Sequence, residues 1–399
     1  MMRKFVAAIL VLLVFPVVFD AAPSGTRTVR GLVVLIDFPD MPATVSISRA
    51  NDILNGIGYT EPNVTKSLTD YWYAQSRGHV VMTSDVFGYY RAPLPSTSYD
   101  FAGFIGMMGD ALDWIVANNP EYDWDALSLS SGPMNRNGTE EGKFLSIAFM
   151  TTAWIPGSGG THFWPWTAPN GVGTQQVTAS TFQAPWDTNI NLFWLTHEQG
   201  HAIWGWPDTY DTTTPVQSHG TGIYSLMSGN QGTGDIEPPG APFLAAEGWT
   251  RVMDIKRNQT IVLEPDGDLV ARYVNPTDSR EYFVIEARSE ATIGNASLPV
   301  DAGLLIWHVD ERVTTYNTMP QMTPAQHYRI SLEQADGHFD LEHLNNPGDA
   351  GDIFLPGDVF SPLTTPDSNW WDGSWSSLTI DSIRFLPNGR ISFRAAVSG

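Results

Sequence analysis

His197 and His201 stand four residues apart, with Glu198 directly after the first of them. On a helix that separation turns about 400°, so both imidazoles leave one face, one turn apart. A carboxylate beside the first histidine can reach a water held by a metal without ligating the metal itself. This is the H-E-x-x-H spacing of zinc hydrolases, in which two imidazoles and a third protein ligand leave one position open. The bland alternative is a buried helix whose histidines are satisfied by hydrogen bonds. The apolar run Leu192, Phe193, Trp194 and Leu195 serves either reading, since it buries the helix and supplies the dry walls a metal site needs.

The residues after the helix bear on the missing ligand. Gly205 suits the left-handed conformation that stops a helix, and Pro207 prevents its resumption. A sharp turn there brings Asp208 back toward the histidines, with Asp211 and Glu247 as reserve ligands. Met227 lies in the turn-rich SLMSG, where its thioether can form an apolar floor.

Positioning these side chains requires a scaffold. VRGLVVLIDFPD is a continuous β-branched run closed by Pro39 and Asp40, which predicts a buried strand. NVTKSLTDYWYAQSRGH, with Thr65 as cap, and FAGFIGMMGDALDWIVANN carry helical periodicity, and VVMTSDVFGYYRAP and KFLSIAFMTTAW strand character. The Gly, Trp and Pro-rich stretch 155–169 predicts a loop, and the metal helix begins near Leu192. Strands alternating with helices predict an α/β layer before the zinc helix. After about Val252 the helical period fades. TIVLEP, DLVARYVNP, EYFVIEARS, GLLIWHVDE, HYRISLEQ and LTIDSIRFLPNGRISFRAAV are short strands separated by turns, a β-rich, sandwich-like unit. The expected organisation is residues 1–22 as a signal peptide or N-terminal anchor, 23–252 as the catalytic domain and 253–399 as the β-rich domain.

Composition narrows the function classes. The chain has 399 residues and a formal net charge of −22, with 43 acidic against 21 basic side chains. That balance excludes a nucleic-acid backbone as partner, which needs clustered Lys and Arg. The absence of cysteine removes disulfide scaffolds, thiol nucleophiles and thiolate metal sites together. Arg3 and Lys4 precede an apolar run over 5–19, short for a membrane span and interrupted by Pro16, which predicts export. Contact with a membrane is expected only if that segment stays uncleaved.

The chain resembles the immune inhibitor A family, secreted zinc metallopeptidases of the metzincin type. RGLVVLIDFPD is similar to the family's first strand, and SLTDYWYAQSRGHVVMTSDVFGYY to its following helix and hairpin. HEQGHAIWGWPDTYD resembles its zinc motif, YSLMSGN its Met-turn, and PFLAAEGW, YFVIEAR, GLLIWHVDE and LEQADGHFDL…GDAGDIFLPGD its later blocks. The resemblance runs from about residue 29 to residue 393. It implies an α+β fold: a metzincin-like zinc peptidase domain with a mixed sheet and active-site helix, then the β-rich unit. It implies Asp208 as third zinc ligand and Met227 as the Met-turn methionine. One departure stands out. Trp204 occupies the family's glycine position three residues after the second histidine, and Gly205, Pro207 and Asp208 each come one residue later. A one-residue insertion at the helix end accounts for this, and it rotates the residues beyond it by about 100° with a rise of about 1.5 Å.

The expected chemistry is hydrolysis of peptide bonds in extracellular proteins. Glu198 accepts a proton from zinc-bound water and passes it to the departing amine. His219, Tyr210 and Tyr224 are candidates to stabilise the oxyanion, with packing or capping as their plainer roles. Asp336, Asp340, Asp349 and Asp352 lie among glycines. Read alone they form a solvated acidic loop, and with the resemblance a calcium loop. The loop NRNGTEEG at Asn135 is a weaker candidate of the same kind. A rival reading is a catalytically degenerate extracellular binding or adhesion protein of the same fold, and another is a zinc hydrolase acting on a non-peptide bond.

Overall fold

The computed structural model describes residues 25–62, 64–127, 144–156, 160–164, 166, 168–169, 176–182, 192–211, 215–228, 236–289, 302–313 and 326–397. The N-terminal segment expected to direct export and the loop at Asn135 lie outside them. Among the described residues no helix is long and apolar enough to cross a membrane.

Strand β1 (Arg27–Asp37) is the long apolar run that the sequence predicts, and its two faces explain the first half of the molecule. Val29, Val33 and Leu35 enter one core, while Leu32, Val34 and Ile36 enter another. Such a strand needs cover on both faces, which parallel sheets obtain from crossover helices. Helix α1 (Ile47–Asn55) and helix α2 (Leu68–Gln75) cover the first face on the way to strand β2 (Val80–Arg91), which runs parallel to β1. Helix α3 (Phe101–Asn118) covers the second, burying Phe104, Met107, Met108, Ala111, Leu112 and Ile115, and leads to strand β3 (Phe144–Thr151) on the other side of β1.

Two further strands complete the sheet. Strand β5 (Gln176–Phe182) runs parallel to β3, and strand β4 (Thr161–Trp164) pairs antiparallel with β5, giving the order β2-β1-β3-β5-β4. Strand β4 corrects the expectation of a loop over 155–169, since sheet pairing outweighs the turn-forming composition of that stretch. A second correction concerns α2, which is capped by Ser67 rather than Thr65. The Ser67 side chain accepts the amide of Asp70.

The second half is β-rich, as its turn spacing predicts. Strands β6 (Arg251–Asp254), β8 (Leu269–Val274), β9 (Glu281–Ser289), β10 (Ala302–Asp310) and β11 (Ile330–Glu333) form one sheet in the order β11-β10-β9-β8-β6. Strands β7 (Gln259–Leu263), β12 (Leu378–Phe385) and β13 (Ile391–Val397) form another. The two sheets enclose Phe283, Ile285, Leu304, Ile306, Phe360, Ile380 and Phe393.

The opposite face of the larger sheet is buried too. Val284, Leu305, Trp307 and Val309 join the core that holds α1, α2 and the histidine helix. This is why GLLIWHV is apolar without alternation. The boundary expected at residue 252 falls within β6, and a single cluster of buried side chains lies across it. Among the described residues the chain is thus a mixed α and β structure of three sheets with few helices.

Candidate metal centre

Helix α4 (Phe193–Gln199) carries His197 and Glu198, and it continues into one π turn, Gly200–Trp204, which carries His201. Both segments are held by aromatic packing. Trp72 of α2 lies with its ring centroid 5.6 Å from Trp204, 5.9 Å from Trp206 and 6.2 Å from Trp249, and its indole N–H donates to Gln199 at 2.7 Å.

The π turn accommodates the extra residue anticipated from the sequence. A π turn is a one-residue insertion into an α-helix. It closes where Gly205, at a left-handed φ of 66°, directs its amide back to the carbonyls of Gly200 and His201. A residue added at this point would rotate those beyond it, and a π turn absorbs such a rotation inside the helix end. The chain reverses over Trp206 and Pro207, and Asp208 reaches both histidines. Its Oδ1 lies 3.1 Å from Nε2 of His197 and 3.0 Å from Nε2 of His201.

The other ring nitrogens determine what these contacts mean. Nδ1 of His197 lies 2.8 Å from the carbonyl of Leu226, and Nδ1 of His201 lies 2.6 Å from the carbonyl of Trp206. A carbonyl only accepts, so each Nδ1 carries the hydrogen and each neutral ring presents a bare lone pair at Nε2. Two imidazole lone pairs and a carboxylate oxygen thus face one another within 4.8 Å. Three acceptors with no donor among them repel unless a cation sits between them.

A single proton relieves only one of the two imidazole contacts, whereas one divalent ion satisfies all three atoms. Two nitrogens and one oxygen, each ring oriented by a carbonyl behind it, form the donor set of an open three-ligand zinc site. The residues therefore fit a zinc ion. Burial disfavours charge on His201, but the carboxylates of Asp208 and Glu198 outweigh it and push its pKa up to about 9. Burial likewise opposes the charge of Asp208, but the adjoining His197 and His201 side chains outweigh it and hold its carboxyl well below the ordinary range.

Met227 lies beneath the helix. A Cβ added at Gly200 would stand 2.5 Å from its sulfur and 3.2 Å from its terminal methyl carbon. The glycine between Gln199 and His201 is therefore the space into which the thioether packs. The backbone of the same turn does two more tasks: the Leu226 carbonyl orients His197, and the Met227 carbonyl accepts the amide of Thr209 at 2.7 Å.

The remaining sequence candidates separate. Tyr210 is half-buried, with its ring centroid 6.0 Å from that of His197, and so lies beside the centre. His219 is also half-buried, and its amide donates to the carbonyl of Leu341. Burial lowers the pKa of its ring. Tyr224 is fully buried, and its one hydroxyl hydrogen is shared between Asp352 at 2.8 Å and the Asp349 carbonyl at 2.9 Å. That commitment removes it from the oxyanion role. Neither reserve ligand joins the group: Asp211 accepts the amide of Gln217, and Glu247 accepts the indole N–H of Trp206.

Asp336, Asp340, Asp349 and Asp352 do not bring three ligand atoms together among the described residues. Each is occupied by protein partners, mostly within its own loop, with Asp352 also accepting the Tyr224 hydroxyl. Asp349 and Asp352 form a capping box around a short turn, Asp340 accepts from Asn345 and Asn346, and Asp336 pairs with His338. The spacing that suggests calcium serves Asx-type turns here.

Sequence reasoning missed the two orienting carbonyls and the π turn. Only Gly200 left a signal, since a glycine inside a helical motif is an energetic cost that usually marks a close approach. No protein-family model matches the chain, and no curated protein matches it either.

Proposed function

We propose that the chain is an exported zinc-dependent endopeptidase. The observation that carries this reading is the convergence of two imidazole lone pairs and one carboxylate oxygen on a common point, with Glu198 adjacent on the same helix. Zinc held there would supply a Lewis acid that polarises a carbonyl and acidifies water.

The protein's own residues supply the rest. Glu198 is buried beside His197, where it takes a proton from the attacking water and returns it to the departing amine. The carbonyls of Leu226 and Trp206 keep both Nε2 atoms aimed at the site. Tyr210, whose ring centroid lies 6.0 Å from that of His197, is the oxyanion candidate this reading favours.

An extended peptide is the substrate the scaffold favours. Strand β4 ends the first sheet, and among the described residues its outer edge is unpaired, so it can accept a peptide strand through backbone hydrogen bonds. The order β2-β1-β3-β5-β4 with one antiparallel edge strand supports the metzincin-like reading. The basic and apolar N-terminal residues support export.

The test is hydrolysis of fluorescently labelled casein by the zinc-loaded protein and by Glu198→Ala. Cleavage by the first alone, with zinc bound by both, is expected. Zinc in both and cleavage by neither would favour the binding-protein reading.

A further inference from the structure

The turn that orients His197 is held from behind by the β-rich half of the chain. Ile223 donates its amide to the carbonyl of Pro347 at 2.9 Å, and His219 donates to Leu341 at 2.8 Å. At Gly222 the two loops press so closely that a side chain would collide with the Pro347 carbonyl. Tyr224 is the residue where these ties concentrate. Its hydroxyl donates to Asp352 and to the Asp349 carbonyl, and its own carbonyl accepts from Arg288 at 2.7 Å.

Arg288 is itself an unusual anchor. It is 2% exposed, lies over the ring of Trp307 and pairs with Glu286 at 3.0 Å. Glu286 in turn accepts the indole N–H of Trp307 and the amide of Ala241. A buried guanidinium is costly to leave unpaired, and the ion pair with Glu286 holds Arg288 where its Nη1 donates to the Tyr224 carbonyl. Two residues further on, the Leu226 carbonyl meets Nδ1 of His197.

We propose that Tyr224 is a positioning residue for the metal centre: clamped at its carbonyl by Arg288 and at its hydroxyl by Asp352, it sets the Leu226 carbonyl against His197 and so couples the β-rich half to metal affinity. This inference rests on the proposed zinc function. It gives the acidic loop a role that needs no bound cation, since Asp352 acts there as a hydrogen-bond acceptor. It also makes the β-rich half part of the metal centre's support.

The test compares zinc affinity and the visible absorption of the Co2+-loaded protein for the full chain, Tyr224→Phe, Asp352→Ala and Asp352→Asn. Tyr224→Phe removes one oxygen, so near-ultraviolet circular dichroism should match the parent. Loss of orienting partners of metal-ligating histidines costs about 10–100-fold in affinity, and the lower end is expected for Tyr224→Phe and Asp352→Ala, with altered cobalt bands. Asp352→Asn keeps an acceptor oxygen and should restore affinity to within about threefold of the parent. Unchanged affinity and cobalt spectrum in Tyr224→Phe and Asp352→Ala, while the parent binds zinc, would overturn the inference alone. Failure of the parent to bind zinc would overturn the zinc reading and this inference with it.

Discussion

Gly200→Ala is the substitution whose outcome the packing determines most sharply. On helix propensity alone, alanine should stabilise this position by about 1 kcal/mol relative to glycine. The structure opposes that gain. The added carbon would stand 2.5 Å from the Met227 sulfur, 3.2 Å from its terminal methyl carbon and 3.3 Å from a ring carbon of Trp206. Overpacking of this kind costs about 1–3 kcal/mol. The net expectation is a loss of between about 0 and 2 kcal/mol, together with weakened zinc binding, because the displaced Met227 backbone adjoins the Leu226 carbonyl that orients His197. Removing the obstacle should lessen that cost. Met227→Ala alone should cost about 2–5 kcal/mol as a buried truncation. In that background Gly200→Ala should be less costly than in the parent and stabilise by at most about 1 kcal/mol, since the Trp206 ring carbon still stands 3.3 Å from the added carbon. Urea unfolding of the four proteins in the cycle measures this directly. Equal effects of Gly200→Ala in both backgrounds would refute the contact between the thioether and the helix.

Charge supplies three further expected outcomes. His201 in the zinc-free protein holds a proton up to about pH 9, so zinc binding at pH 7.5 should release about one proton. Calorimetric titration in buffers of different ionisation enthalpy detects that release, and a heat independent of buffer would contradict it. Burial raises the carboxyl of Asp352 to about 7 and that of Glu342 to about 8, and His201 is raised to about 9. Each group binds its proton more tightly folded than unfolded, so its contribution is full below its unfolded pKa and is lost as pH rises through the folded one. The melting temperature of the zinc-free protein should therefore fall between pH 5 and pH 9, and a flat or rising profile would contradict these assignments. Zinc replaces the proton on His201, so the fall at the alkaline end should be smaller in the loaded protein.

Much of the scaffold was legible because its signals are local. The β-branched run of β1 and the apolar spacing of α3 announce themselves within a dozen or so residues. The four-residue separation of His197 and His201 is likewise a property of one helical turn. Helix α1 was missed although Ser46 caps it and Ala50, Ile53 and Leu54 form a buried stripe, because its nine residues fall near the lower limit at which periodicity can be read. Strand β4 was missed because its pairing with β5, not its own composition, makes it a strand. The π turn is a matter of helical phase that the extra residue implied without specifying. The Tyr224 clamp brings together residues from positions 224, 288 and 352, and no local pattern encodes such contacts.

The central claim is that His197, His201 and Asp208 jointly hold a zinc ion. The most direct measurement is the zinc content of the purified protein and of Asp208→Ala after equilibration with micromolar zinc, with circular dichroism as a check on folding. The account predicts one zinc per chain in the parent and its loss in a folded Asp208→Ala. Stoichiometric zinc retained by that variant, or none bound by the parent, would contradict it.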